Sequence, residues 1–105
     1  MRDILNDLLG KVVISKSGRD LGRAFVVVRV IDEARYLSIS DGELRKIEKP
    51  KKKNIKHLRF TSLRADDVME YLQKGEMPAN HIIKKNIKQL LDKDLIRGEG
   101  GLVNG

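Results

Sequence analysis

Two hydrophobic periods divide this chain into a β-patterned first part and a helical second part. Lys11 to Ser15 is a short run rich in β-branched residues and reads as a strand. A turn with glycines at Gly18 and Gly22 follows, and a second strand runs from Arg23 to Ile31. That strand is apolar on both faces around Phe25 to Val28, which predicts a central position in a sheet. Asp32-Glu-Ala34 makes a turn. Arg35 to Ser40 then alternates, with Leu37 and Ile39 pointing one way and Tyr36 the other. Asp41-Gly42 suits a type I′ hairpin turn and predicts a short return strand over Glu43 to Glu48. Pro50 bars a central strand from Lys49-Pro-Lys-Lys-Lys-Asn54, which reads as a loop. A further strand is expected over Ile55 to Thr61, with Leu58 and Phe60 as its larger apolar residues. Short strands joined by tight turns predict a mainly β fold, a small SH3-like β-barrel of about five strands.

After Thr61 the period becomes helical. Ser62 can cap a helix from Leu63 to about Lys74, with Asp66 and Asp67 in its first turns and Gly75 past its end. Met77-Pro78 interrupts the chain. Asn80 can cap a second helix to about Lys93, with Ile83, Ile87, Leu90 and Leu91 on one stripe. These predict a helical hairpin packed on the barrel. The expected organisation is a barrel over 1–61, a helical extension over 62–97 and a flexible, glycine-rich tail over 98–105. At the other end, Arg2 to Leu9 puts Ile4, Leu5, Leu8 and Leu9 on one side of a short helical turn that could cover the open end of the barrel.

Composition narrows the function classes. The chain has 105 residues, 35% charged and 4% aromatic, so its core must come from Val, Ile and Leu. With no cysteine, neither disulfides nor thiolate metal sites can form. No apolar run approaches a membrane span, and the start lacks a signal-peptide layout, so a cytoplasmic protein without a membrane partner is expected. The formal net charge is +7. Up to Leu63 there are 15 Lys and Arg against 8 Asp and Glu, whereas from Arg64 onward there are 7 of each. The whole excess lies on the β-patterned part, which points to a polyanion partner for that part.

Chemistry by side chains finds little support. His57 and His81 lie in different segments without a carboxylate at useful spacing, and Asp66 and Asp67 point in different directions on their helix. No phosphate-loop or metal-ligand pattern occurs, so no enzyme activity, cofactor or metal is expected.

The stretch Gly10-Lys-Val-Val-Ile-Ser-Lys-Ser-Gly-Arg-Asp-Leu-Gly-Arg23, followed by an apolar strand, resembles a KOW motif. Such motifs occur in ribosomal proteins and in transcription elongation factors. Val28-Arg-Val-Ile-Asp32 and Ser40-Asp-Gly42 are further similar to the large-subunit ribosomal protein family numbered fourteen-e. The likeness covers roughly Leu9 to Leu58. It implies an SH3-like barrel whose glycine-containing loop contacts RNA, with ribosomal RNA and the large ribosomal subunit as partners. The sequence carries no signal for an oligomeric state, and a monomer is the default expectation.

Two clusters are the candidate RNA-binding residues. In the glycine-punctuated loop, Lys16, Arg19 and Arg23 supply cations while Gly18 and Gly22 let a backbone come close. Asp20 in that loop reads as a turn cap. The second cluster is Arg45, Lys46, Lys49, Lys51, Lys52, Lys53, Lys56 and Arg59, whose mutual repulsion phosphates would relieve with counterion release. His57 reads as structural or solvated. A third group, His81, Lys84, Lys85 and Lys88, reads as the wet side of an amphipathic helix. Aromatic residues are few, and Phe25 and Phe60 belong to the core, so recognition of folded RNA by backbone and shape is expected over base stacking. Two other classes fit the same features, a transcription-elongation module and an SH3-like protein–protein adaptor.

Overall fold

The computed structural model describes residues 7–98, with side chains to position 93. Most of the turn expected over Arg2 to Leu9, and the tail beyond 98, lie outside the described residues. Leu8 and Leu9 are half-buried against the core.

Five antiparallel strands form one sheet in the order β4-β3-β2-β1-β5. They are β1 (Lys11–Ser15), β2 (Ala24–Ile31), β3 (Tyr36–Ser40), β4 (Lys51–Asn54) and β5 (Leu58–Arg64). β2 occupies the centre, as its two apolar faces require. The pleat sends Val12, Ala24 and Val26 to one face and Val13, Phe25 and Val27 to the other, where each set joins its own core. Helices α1 (Asp66–Gln73) and α2 (Asn80–Gly98) cover the first face through Val68, Ile83 and Ile87. The second face carries its own core of Val13, Phe25, Val27, Leu37, Ile39 and Leu58.

The sheet is open but cannot be flat. β4 and β5 are the two edges of the sheet, and no ladder joins them among the described residues. A flat sheet would hold them about 19 Å apart. Yet a 3-10 turn of three residues, Ile55–His57, joins them, and such a link spans about 14 Å at most. The sheet therefore curls.

The structure departs from the sequence reading mainly between Asp41 and Asp66. The return strand is Lys51–Asn54, not Glu43 to Glu48, and the lysine run expected as a loop is that strand. Pro50 immediately precedes it, and β4 is an edge strand, where proline and lysine are both tolerated. Asp41-Gly42 does not make a type I′ hairpin. Gly42 has φ +75°, but Asp41 is not in the left-handed region, and a ten-residue connection, 41–50, links β3 to β4. β5 begins at Leu58 rather than Ile55 and runs through Arg64, so Ser62 lies in the strand and caps nothing. Ala65 then stands at the N-cap of α1 without a capping side chain. Asn86 of α2 takes that role across the helix pair. Its Oδ1 accepts from the Val68 amide at 3.3 Å, while its Nδ2 donates to Asp67 Oδ2 at 2.9 Å.

Asn80 does not cap its own helix either. Its Oδ1 accepts from the Ile47 amide at 2.8 Å and its Nδ2 donates to Glu48 Oε1 at 2.9 Å. The side chain thus ties α2 to the 41–50 connection, and the Asn80 bond holds the Glu48 carboxyl below its usual range. Gly42 makes the same junction possible, since a Cβ there would overlap the Asn80 backbone oxygen.

Candidate nucleic-acid interface

The β1–β2 loop is built by short-range bonds. Ser15 Oγ donates to the Ser17 carbonyl at 3.0 Å, and residues Gly18–Asp20 form a 3-10 turn. Gly18 and Gly22 have φ of +76° and +82°, values that favour glycine. Around Gly22 a Cβ would meet nothing within 4 Å, so this glycine leaves the backbone open to an approaching ligand. Lys16 and Arg19 project into solvent beside it.

Two buried acids bolt this loop to the 41–50 connection. Asp41 Oδ2 accepts from Arg23 Nε at 2.8 Å, and Asp20 Oδ2 accepts from Arg45 Nη2 at 3.1 Å and Nε at 3.3 Å. Asp20 therefore serves as the partner of Arg45, not as a turn cap. Asp41 also gathers its own loop, for Oδ1 accepts from the amides of Glu43 and Arg45 at 3.0 and 2.8 Å. Burial pushes the Asp41 carboxyl up, but the Arg45 amide, the Arg23 guanidinium and the Glu43 amide outweigh it and hold the acid below its usual range. The bond to Asp41 raises Arg23 in turn. Arg23 and Arg45 are thus already committed within the fold.

The lysine cluster is divided by the pleat of β4. Lys51 and Lys53 share a side with Ile39 and Leu37, while Lys52 lies with Ser38 on the other. Lys53 Nζ reaches across the curl to donate to the Ser17 carbonyl at 2.9 Å. The Lys16 amide donates to the His57 carbonyl at 2.8 Å. These two bonds bring the glycine loop, β4 and the 55–57 turn into one surface. Lys52 stacks over Tyr36 with its ammonium 4.7 Å from the ring centroid. Lys46, Lys49, Lys56 and Arg59 are exposed. None of these four, nor Lys16, Arg19 and Lys51, makes an ion pair among the described residues, although Lys46 lies near enough to Glu48 to help hold its carboxyl down.

The third cationic group adjoins the bolted loops. His81, Lys84, Lys85 and Lys88 of α2 border an open cleft of about 570 Å³ with Arg23, over an apolar floor that includes Ala24, Ile87 and Leu91. Asp41 and Glu43 also line it, so its charge is mixed. Leu21 and Leu44 escaped the sequence reading. Both are largely exposed, on the two bolted loops. An apolar residue inside a loop rich in charge was the available signal.

Among the described residues no group of three or more His, Cys, Asp or Glu could hold a metal ion, and no helix is long and apolar enough to cross a membrane. No protein-family model matches the chain, and no curated protein matches it in sequence.

Proposed function

We propose that the protein binds RNA and acts as a ribosomal or ribosome-associated factor on large-subunit ribosomal RNA. One observation carries this reading. Exposed cations without an ion pair, Lys16 and Arg19, Lys49, and Lys56 with Arg59, come from three segments that the Lys16–His57, Lys53–Ser17 and Arg45–Asp20 bonds tie together, beside a glycine open to solvent. A protein gains nothing in stability by gathering like charges. A phosphate chain gains a site where each cation releases a counterion.

The likeness of Gly10 to Arg23 to a KOW motif supports ribosomal RNA as the target. The strand order and the three-residue link between the edge strands support an SH3-like barrel as the finer description of the curled sheet. Lys53, held on the Ser17 carbonyl, would fix the glycine loop against β4 and so set the register of the RNA. The other lysines would supply affinity.

The test is cross-linking in the native cell followed by sequencing of the attached RNA. A single cluster in large-subunit ribosomal RNA is expected. Cross-links scattered over nascent transcripts would replace this reading with a transcription-elongation role, and capture of a protein without RNA would replace it with an adaptor. In vitro, a footprint of about five phosphates gives a slope of log affinity on log salt near −4, and a slope near zero would overturn the electrostatic mechanism.

A further inference from the structure

The cleft between the 41–50 connection and the start of β4 has a chemistry that phosphate binding alone does not explain. Its volume is about 600 Å³, within the range of small-ligand sites. Lys46, Lys49, Lys51 and Lys52 line it together with two apolar groups, Leu44 and Pro50. Glu43 stands at its rim, 3.8 Å from the Arg23 guanidinium.

Leu44 is 61% exposed, and a loose loop does not account for it. Asp41 fixes the amides on both sides of Leu44, and the Arg45 carbonyl accepts from Ser40 Oγ at 2.6 Å and from the amides of Asp41 and Gly42 at 3.0 and 3.3 Å. The backbone beneath Leu44 is therefore held with the side chain in water. Its ligand should offer a flat apolar face next to negative charge. A regular RNA duplex does not, because the flat faces of its bases stay stacked inside and only base edges, sugars and phosphates are accessible. A nucleotide outside the stack offers both.

We propose that this cleft takes one unpaired nucleotide of the bound RNA, its base against Leu44 and Pro50 and its flanking phosphates on the four lysines. The inference rests on the RNA-binding reading and adds to it a preference for a bulge or loop over a continuous helix. It also gives the aliphatic Leu44 the task that aromatic residues perform in other single-strand readers.

Fluorescence anisotropy with the full chain and two RNA stems separates the possibilities. The stems are identical except that one carries a single-nucleotide bulge. Wild-type protein should bind the bulged stem about fivefold tighter, the worth of partly covering a leucine. Leu44→Ala should lose that preference while keeping its salt slope, because no cation changes. Leu44→Met should retain it. The exposed position leaves the fold intact, which circular dichroism verifies. Equal affinity of the wild type for both stems overturns the inference and leaves the RNA reading standing, as does a Leu44→Ala variant that keeps the preference. A wild type that binds neither stem at low salt ends the RNA reading itself, and this inference with it.

Discussion

Arg23 and Arg45 sit on the same two loops as Arg19 and Lys46, and in sequence the four look alike. In the folded protein they differ in kind. The first two each meet a buried carboxylate and hold the loops together, whereas the second two meet none and face solvent. A cation becomes structural where the fold supplies an acid that water cannot reach, since leaving either partner alone in that place is costly. It stays available to a ligand where no acid faces it. Net charge therefore overstates the charge left for a ligand, and only the cations without a buried acid count toward the proposed surface.

The junction that carries the bolted loops should be the easiest to break. Gly42→Ala places a Cβ against the Asn80 backbone oxygen and strains a positive φ, so it should cost more than about 3 kcal/mol or displace α2. Urea unfolding measures this, and a loss below about 1 kcal/mol would mean that the loop yields freely.

Asp41→Ala removes three hydrogen bonds, and with them the buried partner of Arg23. Glu43, 3.8 Å from the guanidinium, stays as a weaker and more exposed partner, so the loss should be about 2 kcal/mol. Acid should do part of the same work. The folded Asp41 carboxyl lies below its usual range, so its stabilising contribution is complete above about pH 4 and is lost as the pH falls through the lower folded value. Replacing Asp41 should flatten that acid limb of the stability profile. An unchanged limb would assign it to other carboxylates.

The unpaired cations should behave in the opposite way. Replacing Lys16, Arg19, Lys49 and Lys56 by Ala should move stability by no more than about 0.5 kcal/mol for each residue. It should also reduce the steepness of the RNA salt slope by about 3. Unfolding of that variant, or an unaltered slope, would erase the distinction between the two kinds of cation. The smallest effect is expected on α2. With Lys84, Lys85 and Lys88 replaced by Ala, the slope should change by less than about 1, and a change of about 2 would extend the interface onto that helix.

Much of the fold could be read locally. β-branched runs, the two-faced apolar stretch at Phe25 to Val28 and the helical stripe from Ile83 to Leu91 place their elements correctly, because each pattern spans a few residues and reports which side of an element is dry. The β1–β2 turn was legible for the same reason, with positive φ falling on the glycines at 18 and 22. The connection from Asp41 to Pro50 misled because its local signals compete. Asp41-Gly42 suggests a tight hairpin, but the Asp41 side chain serves its own loop and Arg23 instead, and pairing with β3 falls to the lysine run beyond Pro50.

The sequence by itself determined the β-then-helix order, the apolar faces of the central strand and of the last helix, and the placing of all excess charge in the first part. These depend on composition and on short periods. The tertiary structure alone decided which cations remain available, since Arg23 meets Asp41 and Arg45 meets Asp20 across 18 and 25 positions. It likewise decided that Asn86 caps α1 and that the curled sheet lays Lys53 on the Ser17 carbonyl. Such pairings are properties of distance in space, and a linear pattern carries no record of them until the sheet has curled.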